Sequence, residues 1–431
     1  MIRSQRVLLV KAFARETRPL ILLSRREKVS LLAVNLGPSP RDSPFLPPPP
    51  PLPDVPVGAR LLHFVEAWEN ITQDQWVLQT IKEGYIIPFV MKPPLTTTPI
   101  EMSSGHPALP TEVLKLWEKR AVERVVQPRS PGFYSRLFLV PKKGDQWRPI
   151  IDLSTLNGFL DIQSFKMETS ASIRASVQPG HWGVSLDLTD AYFHVPIHPS
   201  SRKYLRFCLN NQVFQFRALP FGLSTAPRVF TKLMAVVGAY LRLKGSALLQ
   251  YFDDWLLHQM DRDNLLLDLV SSWKDLSALG LLLNPVKSDL IPSQDFTFVG
   301  MNFLTALDRI RLPPHRALAL MDMVSLVLSL NRVTARFFLS LLGVLNAAAD
   351  LVYQGRLHLR PIQYHLLSMW KPNRDNLSDW IPIKPSLHPS LLWWLDQERL
   401  SEGVPLTPPS PSLQLITDSS REGWGAHLEP L

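Results

Sequence analysis

Two adjacent carboxylates, Asp253 and Asp254, lie in the segment Tyr251-Phe252-Asp253-Asp254, between the apolar runs Ala247-Leu248-Leu249 and Trp255-Leu256-Leu257. Apolar runs on either side of a short polar break predict strand, tight turn, strand. Carboxylates presented together at a hairpin tip make half of a site for a hard divalent cation. Mg²⁺ takes one or two protein carboxylates and completes its shell with water and phosphate. Taken alone, an Asp-Asp pair between hydrophobic runs is more often a plain turn. A cation site needs a further carboxylate, and Asp187 supplies one at the end of the apolar strand Gly183-Val184-Ser185-Leu186-Asp187.

Phosphate chemistry also needs cations. Lys142, Lys143 and Arg148 fall on the two arms of a predicted hairpin whose turn is Gly144-Asp145. Arg grips phosphate with a planar fork, whereas Lys acts as a point charge. Without the acidic segments these cations would be a solvated run on an exposed hairpin. Tyr192, five residues beyond Asp187, is either a core tyrosine or a ring facing a substrate. Lys287 follows Asn284-Pro285-Val286, after an amphipathic stretch over about residues 262–279. It is either a surface lysine after a proline turn or a general acid, a role with a typical gain of about 10²–10⁴-fold.

In their order and spacing these segments resemble the reverse transcriptases. Asp187 with Asp190-Ala191-Tyr192-Phe193, then Tyr251-Phe252-Asp253-Asp254, resembles the palm. Leu139-Val140-Pro141-Lys142-Lys143 and Trp147-Arg148-Pro149-Ile150-Ile151-Asp152-Leu153, with Leu156-Asn157, resemble the fingers hairpin. Leu219-Pro220-Phe221-Gly222-Leu223-Ser224-Thr225-Ala226-Pro227 resembles the loop and helix that cradle the template and new base pair. Phe298-Val299-Gly300-Met301 resembles the primer grip. The Arg-Pro-Ile-Ile-Asp and Leu-Pro-Phe-Gly forms, with the lead-in over residues 59–99, look most like the DIRS-like retrotransposons.

The resemblance implies an α+β right-hand polymerase fold of fingers, palm and thumb, with an antiparallel palm sheet. It implies RNA-directed DNA synthesis by in-line attack of a primer 3′-hydroxyl, served by two Mg²⁺ ions about 3.5–4 Å apart, with Mn²⁺ as a substitute. The implied partners are an RNA template, a DNA primer and deoxynucleoside triphosphates, in the cytoplasm or nucleus. Asp187 and Asp253 would be the first metal ligands. Asp254 completes the trio as the weaker one, because successive strand residues face opposite sides; Asp190 would be structural. Arg148 and either Lys142 or Lys143 would contact the triphosphate, and Tyr192 would exclude a 2′-hydroxyl. Phe221 and Gly222 would line the nucleotide site, the glycine permitting close backbone approach. Lys287 would protonate the leaving pyrophosphate. Ser224 or Thr225 would cap the following helix, with Pro227 in its first turn.

Length and charge set the remaining bounds. The 431 residues allow two or three domains and a sizeable core. The single cysteine, Cys208, excludes an intramolecular disulfide framework and a cysteine-based zinc site, and its apolar neighbours predict a buried strand residue. No uncharged apolar stretch reaches the roughly 18 residues that span a bilayer, which predicts no membrane association. Net charge is +9, and residues 1–37 hold eight Lys or Arg against two Glu, or +6 of it. This arm reads as an electrostatic tether, as an Arg-rich transit peptide, or, the reading ranked first, as an upstream frame without function. The body carries little excess charge, so nucleic-acid affinity must come from a one-sided groove.

The expected organisation is a basic, Pro-rich arm (1–58), a lead-in (59–120), fingers and palm (121–303), thumb and connection (304–411), and a final segment (412–431). Pro47 to Pro51 is an unbroken run that favours polyproline II. Thr111 is expected to cap a helix reaching about Val126, and Ala317–Leu330 and Phe337–Tyr353 read as amphipathic helices. In the final segment, Leu415-Ile416-Thr417-Asp418-Ser419-Ser420 and Gly423-Trp424-Gly425-Ala426 resemble the first strand and hairpin of a ribonuclease H domain. Asp418 matches that family's first metal carboxylate, or is an ordinary strand-end residue. The other carboxylates have no counterpart, so no autonomous RNA cleavage is expected. The competing readings are a ribonuclease acting on RNA–DNA hybrids and a non-catalytic remnant that binds nucleic acid.

Overall fold

The computed structural model describes residues 55–101, 105–142, 144, 146–408 and 410–430. The basic arm, the proline run, Lys143 and Asp145 lie outside the described residues. The described residues form two compact units, one within residues 55–299 and the other within residues 300–430.

The first unit holds nine strands that matter here: β1 (Val122–Arg124), β2 (Arg136–Lys142), β3 (Gln146–Asp152), β4 (Trp182–Asp187), β5 (Arg206–Leu209), β6 (Gln212–Phe216), β7 (Leu248–Tyr251), β8 (Asp254–Gln259) and β9 (Asp289–Ser293). β2 and β3 form the expected hairpin, with Lys142 opposite Gln146 and Val140 opposite Arg148. β1, β6 and β5 make a three-stranded sheet. The central sheet runs β7-β8-β4-β9, antiparallel throughout.

Residues directly opposite in a paired ladder share a face. On one face of the central sheet, Leu186 opposes Trp255, and Val184 and Leu248 both oppose Leu257. This face is core, closed by Leu233, Met234 and Val237 of the helix Ala226–Leu243 and by Leu265, Leu269 and Leu276 of the helix Arg262–Ala278. Those helical residues recur at three- and four-residue spacing, which gives one apolar stripe per helix. Asp261 caps the second helix by accepting the Asn264 N–H at 2.8 Å. The opposite face of the sheet carries Asp187 across from Asp254 and Gly183 across from His258.

The expected helix from Thr111 to Val126 is shorter. It spans Leu109–Glu118, follows Ala108 with Pro110 in its first turn and Thr111 inside it, and stops short of Arg120, which takes a φ of 52°. Val122–Arg124 instead pairs with β6, because that ladder satisfies its backbone groups and buries Val122. The lead-in is tied into this unit. Trp68 is fully buried and donates through Nε1 to the Leu279 carbonyl at 2.9 Å, and Arg60 donates through Nε to the Gly280 carbonyl at 2.9 Å.

In the second unit, Met301–Leu304, Arg309–Arg311 and Val404–Pro405 pair antiparallel. Helices Pro314–Leu328 and Ala335–Ala348 occupy the two expected stretches, and a third, Gly355–Met369, continues through Pro361. Trp394 is fully buried, and Trp393, packed edge-on against it at 4.9 Å, is half-buried. Leu413–Ser419 and Trp424–Pro430 form a hairpin with every residue exposed. Among the described residues, no helix is long and apolar enough to cross a membrane.

Trp68→Ala should cost about 3–5 kcal/mol of unfolding free energy, as expected for an emptied aromatic core site. Trp68→Phe should cost less while leaving the Leu279 carbonyl unpaired. Urea denaturation of the full chain checks both, and a Trp68→Ala protein as stable as the parent would show that the lead-in is dispensable.

Candidate active site

The end of the central sheet brings the backbone positions of the three expected aspartates together. Asp187 closes β4 directly opposite Asp254, the first residue of β8. Tyr251 also pairs with Asp254, which leaves Phe252 and Asp253 as a two-residue turn. Such turns need a positive φ, and Phe252 supplies it at 55°. The Asp253 carbonyl accepts the Leu188 N–H at 3.0 Å, which fastens the turn to the residue after Asp187. The expectation that Asp254 faces away from the other two is therefore corrected. Strand alternation does not govern Asp253, because it lies in the turn, and ladder register puts Asp254 on the same face as Asp187.

Electrostatics register this crowding. Burial and then the neighbouring Asp187 charge raise the Asp253 carboxyl above its ordinary value, against the pull of Lys287 and Arg148. Asp254 is raised to about 6, by burial first and then by Asp253 and Asp187. Lys287 donates through Nζ to Asp187 Oδ1 at 3.3 Å. Among the described residues, no group of three or more His, Cys, Asp or Glu side chains is arranged to hold a metal ion. The donor set still fits Mg²⁺ or Mn²⁺. It consists of hard carboxylate oxygens, and the neighbouring acidic charge that, after burial, raises Asp253 and Asp254 is of the sign a divalent cation offsets.

Of the expected nucleotide residues, Tyr192, Arg148 and Lys287 lie close enough to interact electrostatically with Asp253. The Tyr192 ring packs on Phe221 at 5.0 Å and on Phe230 at 5.4 Å. Burial, then the charge of Asp253, pushes its hydroxyl pKa far up, so it stays protonated. The Arg148 guanidinium lies over the Phe221 ring at 5.4 Å. Gly222 has a φ of +99°, and a Cβ there would fall 2.6 Å from the Ile151 carbonyl oxygen. Its constraint is thus this strand contact as well as left-handed backbone. Thr225 precedes the helix Ala226–Leu243 without a side-chain cap bond, and Pro227 sits in its first turn. Asp190 pairs with Lys119 at 2.7 Å, as a structural residue would. Lys142 is exposed at the end of β2, and Lys143 lies outside the described residues. Asp418 belongs to the exposed hairpin of the other unit, where it accepts its neighbour Ser419 N–H at 2.8 Å.

Some supporting residues carry no chemistry in the sequence reading. Asn157 donates to the Gly222 carbonyl and accepts the Ser224 N–H, both at 2.9 Å, which pins the Phe221-Gly222 loop. Ser288 accepts the Asp187 N–H at 3.0 Å, and the Asp187 carbonyl accepts the Asn284 N–H at 2.8 Å. These bonds join residues 65 to 101 positions apart. A local motif gives no signal for them.

Residues 140–303 match the family model for "Reverse transcriptase (RNA-dependent DNA polymerase)". They form a reverse transcriptase domain of the retroviral and retrotransposon Pol type. The genome polyprotein of Petunia vein clearing virus (isolate Shepherd) is 26% identical over 287 residues, covering 63% of this chain and 12% of that protein. The retrovirus-related Pol polyprotein from transposon 412 of Drosophila melanogaster is 26% identical over 189 residues, covering 42% of this chain and 15% of that protein. The chain thus spans only a small part of the curated relatives it matches. Among solved structures, the foamy viral protease-reverse transcriptase dRH in complex with double-stranded DNA aligns with a TM-score of 0.60 at 15% identity, covering 85% of this chain and 68% of that one. The same kind of protein in complex with an RNA/DNA hybrid aligns at 0.55 and 16% identity, covering 86% of this chain and 52% of that one. These likenesses show the polymerase fold.

The Asp254 shift has a measurable consequence for the reverse transcriptase domain. Its folded value of about 6 lies above the ordinary 3.8, so between them the folded chain keeps a proton that the unfolded chain has lost. This contribution to metal-free stability is full below about pH 4 and is lost as pH rises through about 6. Asp254→Asn should therefore raise the metal-free melting midpoint at about pH 7 and flatten its fall across that window. A midpoint at pH 7 equal to or below the parent's would contradict the assignment.

Proposed function

We propose that this chain is an RNA-directed DNA polymerase of a DIRS-like retrotransposon, acting within the cell on an RNA template, a DNA primer and deoxynucleoside triphosphates. The observation that carries the reading is the register of Asp187 opposite Asp254, with Asp253 in the turn between β7 and β8. The DIRS-like placement rests on the Arg148-Pro149-Ile150-Ile151-Asp152 and Leu219-Pro220-Phe221-Gly222 forms and on the lead-in.

Asp187, Asp253 and Asp254 would hold two Mg²⁺ ions, with Mn²⁺ as a substitute. When bound, such ions activate the attacking hydroxyl and offset charge on the leaving pyrophosphate. The protein's own work is mainly positioning and neutralisation. The three carboxylates supply the negative oxygen face against which primer end and triphosphate are aligned. Arg148, held over the Phe221 ring, presents a fork to the triphosphate, and Lys142 or Lys143 adds a point charge. Tyr192 is packed between Phe221 and Phe230, so its ring cannot swing aside to admit a 2′-hydroxyl. Lys287 carries the proton that the leaving pyrophosphate takes.

Asp418 has no such company. The other acids of its hairpin are Glu422 and Glu429, and Glu429 pairs with His427 at 2.9 Å. We assign no RNA cleavage to this segment.

Primer extension on poly(rA)–oligo(dT) with Mg²⁺ should proceed with the parent and fall by about 10²–10³-fold or more in Asp253→Asn, as for loss of a group that stabilises developing charge. The same preparation should leave the RNA strand of a labelled RNA–DNA duplex intact. No extension by the parent sinks the polymerase reading, and cleavage of the RNA revives the ribonuclease one. Separately, Tyr192→Ala should raise ribonucleotide incorporation relative to deoxyribonucleotide by about 10–10²-fold, the scale of discrimination by pocket shape. An unchanged ratio would remove Tyr192 from sugar selection.

A further inference from the structure

The short loop that carries Lys287 is built around the first carboxylate of the site. Asn284 donates its N–H to the Asp187 carbonyl at 2.8 Å, and Ser288 Oγ accepts the Asp187 N–H at 3.0 Å. Ser288 Oγ in turn donates to the Asn284 carbonyl at 2.7 Å, and Asn284 Oδ1 accepts the N–H groups of Val286 and Lys287 at 3.1 and 3.2 Å. Residues 284 and 288 thus grip both backbone groups of Asp187. Lys287 reaches from this clamp onto Asp187 Oδ1 at 3.3 Å. None of the clamping bonds uses the lysine side chain, so its ammonium can leave without unfolding the loop.

The ion pair itself is weak. The Lys287 side chain is about half exposed (52%) while that of Asp187 is largely covered (15%). Pairs with one partner in water contribute at most about 1 kcal/mol and exchange readily. The same ammonium also acts on Asp253 and Asp254. One half-exposed positive charge therefore serves three carboxylates.

Resting on the polymerase reading, we propose that Lys287 is a resident counter-ion of the metal-free site, which leaves Asp187 when a divalent cation binds there. Its ammonium holds the three carboxylates together in the metal-free protein and competes with the incoming cation for Asp187 Oδ1. Its departure frees the charge for the phosphate side of the site while the Asn284–Ser288 clamp keeps Asp187 in place. Lys287 is then positioned for pyrophosphate only after the cation has arrived, which orders the two events.

The test is binding of Mn²⁺ alone to the full chain at about pH 7.5, without nucleotide or primer, read from the free-ion electron paramagnetic resonance signal. Lys287→Gln should bind Mn²⁺ about two- to fivefold more tightly than the parent, the range a half-exposed ion pair allows. Lys287→Arg, which keeps the charge, should stay at the parent affinity. Mn²⁺ should also raise the melting midpoint of Lys287→Gln by more than it raises the parent's, and a merely structural lysine would not produce that difference. Equal or weaker Mn²⁺ affinity in Lys287→Gln, with the parent binding Mn²⁺ and Asp187→Asn losing it, overturns this inference alone. A parent that binds no Mn²⁺, or an Asp187→Asn protein that binds it as well as the parent, overturns the metal-site reading and this inference with it.

Discussion

Like charges directly opposed across two strands destabilise their pairing, by a cost within about 1 kcal/mol. Asp187 and Asp254 are so opposed, and Asp253 adds a third charge in the adjoining turn. The sheet tolerates them because the other face of the same two strands is core. Leu186 and Trp255 pair there, and the indole is almost fully buried. A buried aromatic of this kind removes roughly 150–250 Å² from water, or about 4–6 kcal/mol as an upper bound. Apolar burial on one face thus exceeds repulsion on the other several-fold. The carboxylates can be close because the strands that carry them are held for a different reason.

The nucleotide side of the site depends on a row of side chains rather than on a ladder. Arg148 from β3 covers Phe221, Phe221 packs on Tyr192, and Tyr192 packs on Phe230 of the helix beneath the central sheet. Each such contact contributes about 0.5–1.5 kcal/mol beyond burial. Together they tie the β2–β3 hairpin to the carboxylate end of the sheet. Gly222 and Asn157 keep the row in line, the glycine by its approach to the Ile151 carbonyl and the asparagine by its two bonds across the loop. Tyr192 is therefore a fixed wall of the site.

Much of this was legible in the residue order, and what was not has identifiable physical causes. The β7–β8 hairpin, the β2–β3 hairpin and the helix Arg262–Ala278 follow from periodicity and turn chemistry, which are local. The orientation of Asp254 is not legible from alternation, because a turn interrupts the strand there and ladder register with Asp187 decides it. Val122–Arg124 was read as helix because the residues favour neither state strongly and β6, more than ninety positions away in register with Glu123, settles the matter. The helix Gly355–Met369 was missed because it continues through Pro361, which a local reading takes as a break. Asn157, Asn284 and Ser288 escaped for the same reason as one another: their partners are distant in sequence, and short polar side chains carry no period.

Phe252 shows how far the site is over-determined. A phenylalanine at a φ of 55° costs about 1–3 kcal/mol, and such strain persists only where surroundings enforce it. Two bonds enforce it here. The Phe252 carbonyl accepts the Trp255 indole N–H at 3.2 Å from the core face, and the Asp253 carbonyl accepts the Leu188 N–H at 3.0 Å from the end of β4. The edge-on contact of Phe252 with Tyr251 at 5.2 Å adds to them. The strands that align Asp187 with Asp254 are therefore the same ones that bend the turn and aim Asp253. A substitution that loosens Trp255 in the core would disturb the third carboxylate without touching it, because the indole reaches the turn from underneath.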